Sequence, residues 1–404
     1  MKVTVWNSKS WLLLWFISAG LVPYGMVYAG PGDQAGPTNE ITDPAAATEL
    51  PERDQNPLQN PLEDADGQDR LSVSQSESSA CCHVSFDYPQ MNLVPRKCVV
   101  ASRSLCDTSC ALGARRFKMP IMPANMECVV DLSVATKLAQ AGYFYVYHRF
   151  SDTLAFAAHM KSLSLPVSIS VGVNEEAYTL IDSLAEADIF PDYVTVDIAH
   201  GHTEKMRDII GHIKAAFPKS FVIAGNVATA EATRDLESYG ADAIKVGIGP
   251  GSACTTYSAT GFGSRGAQAS IVQLCAKACL NPETVIIADG GIKEPGDIAK
   301  SLALGARMVM VGGMFSSLSD SPGAKVQGAD GRMYKEFWGS ASSFQSSKMN
   351  RIEGTKKLLL MKSHGVLDEM HYLEECLQSA ISYGGGRDLE CFKDVKFFLQ
   401  GSSG

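Results

Sequence analysis

The sequence predicts an α/β protein, a (β/α)8 barrel of the TIM type, and three observations carry that expectation. Short apolar runs recur at intervals of roughly 23 to 28 residues between positions 120 and 312. Each ends in Gly, Asn, Asp or His, and each is followed by a stretch with helical marks. There are eight of them, the number a closed barrel of parallel strands requires. The same alternation can be written as an open doubly wound sheet, but eight evenly spaced buried strands favour closure.

In order, the runs are 120–125, 143–148, 167–173, 193–197, 221–226, 243–247, 284–289 and 308–312. Runs this short and this apolar suit strands buried on both faces. After the first, Ser133 to Gly142 reads as a helix stopped by glycine, and after the fifth, Thr229 is the N-cap of a helix that Gly240 closes at C′. The spacing stretches once, to about 40 residues between the sixth and seventh runs. Enlarged loops of this kind are usually functional or disordered. In a closed barrel Asn125, His148, Arg149, Gly172, Asp197, Asn226, Gly249, Asp289 and Gly312 ring one mouth, where barrel enzymes keep their chemistry.

The barrel is expected to occupy residues 82–399. Before it, residues 30–81 are rich in Pro, Gly, Ser and acids and poor in groups that bury, so they read as a disordered linker. Residues 31–80 alone carry −9 and Lys2 and Lys9 give +2, which leaves −2 for residues 81–404 of a chain whose net charge is −9. No basic tract with interleaved aromatics is present, which argues against nucleic acid as a partner. Residues 1–29 place Lys2 and Lys9 before an uncharged apolar stretch that closes on Val27-Tyr28-Ala29. That leader reads as a secretory signal, as a membrane anchor, or as a segment upstream of the true start. The eleven cysteines include no CxxC pair. Cys106/Cys110 and Cys275/Cys279 have i, i+4 spacing without a neighbouring His, a pattern that suits a reducing compartment, here the cytoplasm, rather than zinc or a disulfide framework.

Chemistry concentrates in the enlarged loop. Gly247-Ile-Gly-Pro-Gly-Ser-Ala-Cys-Thr-Thr256 sets Cys254 just past a glycine turn whose backbone N–H groups can face an anion, with two hydroxyls after it. Two more glycine clusters, Asp289-Gly-Gly-Ile292 and Gly312-Gly-Met-Phe315, follow the seventh and eighth runs. Barrel phosphate sites form there, so Ser252, Gly291, Gly312 and Gly313 are expected to hold a phosphate. Asp289 reads either as an acceptor for a ribose hydroxyl or as a structural cap. His148 and His200 are kept out of the catalytic set, because packing explains them equally well.

Gly249-Pro-Gly-Ser-Ala-Cys-Thr-Thr256, Ala288-Asp-Gly-Gly291, Ala224-Gly-Asn-Val-Ala-Thr229 and Asp197-Ile-Ala-His-Gly201 resemble the family of inosine monophosphate dehydrogenase and GMP reductase. Phe86-Asp87-Tyr88, Ser102-Arg-Ser104 and Tyr334-Lys-Glu-Phe-Trp-Gly-Ser-Ala-Ser342 extend the likeness over about residues 85 to 398. The dehydrogenases usually carry a CBS insert, for which about 20 residues between the second and third runs leave no room. Asn350-Arg-Ile-Glu-Gly354 resembles the reductase flap rather than the dehydrogenase Arg-Tyr pair, Ser379 to Gly386 resembles the reductase tail, and Asp-Ile-Ala-His-Gly is closer to the bacterial second type.

The resemblance implies NADPH-dependent conversion of GMP to IMP through a Cys254 adduct, with Thr256 and Glu353 handling the proton of the leaving ammonia. It implies substrate contacts from Ser252, Asp289, Gly290, Gly291, Gly312, Gly313, Gly339, Ser340, Ser342, Arg351 and Gly354. It assigns the cofactor to Ser102, Arg103, Asp197, Ala199, Gly201, Ile248, Gly249, Ser382, Tyr383, Gly384 and Gly385, in part from the same or a neighbouring subunit. A monovalent cation, K⁺, on the carbonyls of Gly249, Gly251 and Cys254, and a homotetramer, complete what the family implies.

Overall fold

The computed structural model describes residues 85–342 and 354–400. The leader, the whole of the expected linker, and Arg351 and Glu353 of the flap lie outside the described residues. Strand β1 (Met91–Leu93) comes first, then a hairpin of β2 (Cys110–Leu112) and β3 (Arg115–Phe117). The main sheet comprises β4 (Ile121–Pro123), β5 (Ser168–Val171), β6 (Tyr193–Asp197), β7 (Phe221–Val227), β8 (Ala243–Val246), β9 (Val285–Asp289) and β10 (Met308–Val311). Its order is β4-β10-β9-β8-β7-β6-β5, and every pair is parallel. A three-stranded antiparallel sheet follows, made of β11 (Lys325–Gln327), β12 (Met333–Trp338) and β13 (Lys356–Leu360), and β14 (Phe397–Leu399) returns to pair with β1.

Seven of the eight expected runs thus form the parallel sheet, and the second does not. Residues 143–148 are buried but belong to no strand. Tyr147 N–H donates to the Ser168 carbonyl at 3.1 Å, and the second tie to β5 is made by a side chain, Ser170 Oγ donating to the Tyr147 carbonyl at 2.7 Å. A parallel ladder needs an evenly spaced series of backbone bonds, which one bond and a hydroxyl do not make.

Both faces of the sheet are buried, as continuous apolar runs require. Alternate residues divide between two cores. Val194, Val196, Val222, Ala224, Ile244, Ile286 and Val309 pack toward the helices, against Ile209, Leu236, Val272 and Ile298. Met122, Tyr193, Ile223, Ala243, Ile287 and Met310 meet on the other face with Phe144. Strands near opposite edges share that inner cluster because the sheet curls, and the Phe144 and Tyr193 rings lie 4.9 Å apart. The β2–β3 hairpin closes the amino-terminal end: Leu112 and Phe117 enter the same cluster, and Tyr193 Oη donates to the Leu112 carbonyl at 2.7 Å.

Local signals set the helix ends. Asp131 Oδ1 accepts from Val134 N–H at 2.8 Å at the start of helix Leu132–Ala141, and Gly142 ends it at φ 82°. Thr229 Oγ1 accepts from Ala232 N–H at 3.1 Å to open helix Ala230–Ser238, and Gly240 follows at φ 99°. The last long helix, Val366–Tyr383, is anchored at its start by Val366 N–H to Asp320 Oδ1, beyond the carboxyl end of β10. Past its other end, the Arg387 carbonyl accepts from Asp107 N–H, ahead of the hairpin. The helix therefore runs from the carboxyl-terminal to the amino-terminal side of the sheet, ~27 Å for its 18 residues. Among the described residues, no helix is long and apolar enough to cross a membrane.

Candidate active site

The loop after β8 is shaped by glycines that only glycine can replace. Gly247 has φ 146°, and a Cβ there would collide with the Asp289 carbonyl of the neighbouring strand end. Gly249 (φ 76°), Gly290 (φ 88°) and Gly291 (φ 80°) also sit in the left-handed region. A Cβ on Gly290 would fall 2.9 Å from Pro250 and 3.2 Å from Gly251 N, so the first two glycine clusters are in direct contact. Around Gly251 and Gly313 the space is open, since a Cβ on either meets nothing within 4 Å.

Cys254 follows a tight turn in which its N–H donates to the Gly251 carbonyl at 3.1 Å. Its Sγ lies 3.2 Å from Thr256 Oγ1, at the start of the short helix Thr256–Thr260 in the enlarged loop. The chain that leaves the flap crosses this turn. Gly354 forms an antiparallel bridge with Cys254 and a parallel one with Ser342, and Thr355 N–H donates to the Ala253 carbonyl at 2.9 Å. Gly339 is packed into the same crossing, where a Cβ would lie 2.9 Å from the Ala253 carbonyl. Ser342 is fully buried, and its Oγ has no hydrogen-bond partner among the described residues. Gly312 lies near Ala124 and Phe337, each 3.6 Å from a Cβ built there, and this ties the third glycine cluster to β12.

Below the loop lies an ionic group that the sequence reading omitted. Lys245, 2% exposed in the apolar strand β8, places Nζ 2.8 Å from Asp197 Oδ1 and 2.9 Å from Asp289 Oδ2. Asn226 Nδ2 donates to the same Asp289 oxygen at 2.8 Å and to the Gly247 carbonyl at 2.7 Å. Asp289 Oδ2 is thus shared by Lys245 and Asn226. Burial pushes the Asp197 carboxyl up, but Lys245, with help from Arg149 and a hydrogen bond from Asn125, holds it below the usual carboxylate range. Burial likewise disfavours the Lys245 ammonium, and the two carboxylates more than reverse that, raising it above an ordinary lysine. Fully buried Gln268 braces the loop from behind, its Nε2 donating to the Val246 carbonyl at 2.8 Å and the Asp289 carbonyl at 3.2 Å.

The expected cofactor residues fall into two groups. Asp197, Ala199, Gly201, Ile248 and Gly249 gather at the carboxyl ends of β6 and β8, where Gly201 N–H donates to the Asn226 carbonyl at 2.7 Å. Ser102, Arg103, Ser382 and Tyr383 line a surface cleft of about 570 Å³ with Arg96 and Cys98. Arg103 Nη1 donates to Ser379 Oγ at 2.9 Å, and Tyr383, Gly384 and Gly385 end the helix on the amino-terminal side of the sheet. One chain therefore keeps the two groups on opposite sides of the sheet.

His148 is buried, and its Nδ1 accepts from Phe150 N–H at 3.2 Å. Burial pushes it down to about 4, only partly opposed by Asp131, so it is neutral near pH 7. All nine cysteines among the described residues are free thiols. Cys106 and Cys110 share no helix: Cys106 follows a 3-10 turn and Cys110 begins β2, and burial raises both.

The family described as IMP dehydrogenase / GMP reductase domain matches residues 85–404. A protein called GMP reductase from Clostridium acetobutylicum is 49% identical over 316 residues, 78% of this chain and 95% of that protein. Those of the same name from Leptothrix cholodnii and Enterococcus faecalis are 51% and 49% identical over 317 residues, 78% of this chain and 96% of each. A cysteine loop crossed by the backbone of Gly354 and Thr355, two glycine clusters in contact beside it and a match over nearly the whole length of these relatives lead to one conclusion: the chain belongs to the IMP dehydrogenase/GMP reductase family.

Proposed function

We propose that the chain is an NADPH-dependent GMP reductase, which converts GMP to IMP and ammonia through a thioimidate on Cys254. The observation that carries this reading is the clasp at Cys254, with Thr256 Oγ1 3.2 Å from its Sγ and the bridging Gly354 immediately following Glu353 in the chain. The thiolate adds to C2 of the guanine ring. The C2–N2 bond then breaks as the amine takes a proton from Glu353 through Thr256 and leaves as ammonia. Bound NADPH supplies the hydride that C2 accepts. The C2–S bond breaks, freeing IMP and the thiol.

Open space beside Gly251 and Gly313 supports a phosphate held by those loops together with Ser252 and Gly291. Asp289, with one oxygen engaged by Lys245, is suited to accept from a ribose hydroxyl. Asp197 and Gly201 belong to the nicotinamide side, and the cleft at Ser102 and Tyr383 is read as the cofactor surface that one subunit of a homotetramer lends to its neighbour. Main-chain carbonyls of Gly249, Gly251 and Cys254 are the hard oxygen donors that fit K⁺. Residues 143–148, tied to β5 through Ser168 and Ser170, are read as the eighth stave of a (β/α)8 barrel spanning residues 82–399. The free thiols support a cytoplasmic location.

GMP-dependent loss of NADPH absorbance, with IMP and ammonia as products, tests the reading. Steady NADH formation from IMP and NAD⁺ in place of that signal would make the chain a dehydrogenase instead.

A further inference from the structure

Lys245 lies where two ligand sites meet. Asp197, Gly225 and Lys245 sit in one register row across β6, β7 and β8. The middle residue has no side chain, and a Cβ on Gly225 would fall 2.5 Å from Lys245 Cβ. That gap lets the lysine pass over β7 to Asp197 while also reaching Asp289 on the strand to its other side. The side chain is 2% exposed, and Nζ also lies 3.7 Å from Met310 Sδ. A buried lysine with two carboxylates is costly to desolvate, and the missing side chain at 225 is built around it.

We propose that Lys245 is a positioning residue for both ligands, orienting Asp197 toward the nicotinamide side and Asp289 toward the ribose through one shared ammonium. The proposal rests on the GMP reductase reading. Two cationic groups face these carboxylates, Lys245 from β8 facing both and Arg149 facing Asp197, and the carboxylates face one another across Lys245. The neutral donors Asn125 and Asn226 complete the set. Without the ammonium, burial acts on Asp197 opposed only by Arg149 and Asn125, and its carboxyl rises.

The test is K245M, with steady-state kinetics in both substrates from pH 5 to pH 9. The expected result is a rise of about tenfold or more in KM for GMP and for NADPH together, with the acid limb of kcat/KM moved to higher pH. Both KM values within twofold of wild type, a change in only one of them, or an unmoved acid limb would overturn the proposal. If K245M does not fold, K245R decides: a retained charge should leave the limb in place while both KM values change in the same direction, and a change in one alone refutes the shared role. Wild-type turnover of GMP with NADPH judges the underlying reading separately. If the wild type is inactive, calorimetric binding of GMP and NADPH to wild type and K245M gives the same comparison without chemistry, equal affinities counting against Lys245.

Discussion

Cys254 and Gly354 face each other in an antiparallel bridge, so the backbone at Gly354 lies directly across the thiol loop. The position is tight for any side chain, since a Cβ on Gly354 would lie 3.0 Å from Ser342 N and 3.2 Å from Gly339 Cα. Gly354→Val should therefore push the flap off Cys254. We expect about a hundredfold loss in kcat/KM for GMP, read by steady-state assay, with a thermal midpoint within about 4 °C of wild type because the crowding falls on the loop crossing at Ser342 and Gly339 and not on the apolar core.

Cys254→Ala removes the nucleophile and leaves the glycine loops intact. Turnover should fall by about a thousandfold or more, while calorimetry with GMP gives an affinity within a few fold of wild type. Loss of GMP binding in step with turnover would make Cys254 a structural residue of the pocket.

Glu353→Gln cannot donate the proton that ammonia needs. Ammonia release in a single turnover should slow by about 10² to 10⁴, and deuteration of NADPH should then have no effect on the overall rate. A persisting deuterium effect with normal ammonia release would place Glu353 at the hydride step.

His148 sets an acid weakness. Its folded form is pushed down to about 4 from an ordinary 6.5, so between those values the unfolded chain binds a proton that the folded chain refuses. Stability falls as pH drops through that window, by up to about 3 kcal/mol at its lower end. Denaturant unfolding of His148→Phe should show a flatter pH profile from 6.5 to 4, whereas parallel profiles would remove His148 as the cause.

Seven of the sheet strands were legible because their apolar runs are long enough for burial on both faces. The second run differs for a physical reason: Tyr143 to His148 is as apolar as the others, but it is held partly by Ser170 Oγ, and a side-chain tie leaves no trace in periodicity. Cys254 and the glycine clusters were legible because φ > 0 and close backbone contacts demand glycine. Lys245 was passed over because Ala243-Ile-Lys-Val246 reads simply as a strand, yet strand parity held the signal. Tyr193 and Ala243 share the inner face, so Asp197 and Lys245, at even steps from them, point the same way. The separation of Ser102 and Tyr383 from Asp197 could not be read locally, since it follows from the direction of helix Val366–Tyr383.

The central claim is that hydride arrives at the purine carbon that Cys254 holds. Incubating the protein with GMP and NADPH carrying deuterium at both C4 positions, then weighing the nucleotide product, tests it directly. The account predicts IMP with one deuterium at C2 for each NADPH oxidised and each ammonia released. IMP without deuterium, or oxidation of NADPH without IMP, would contradict it.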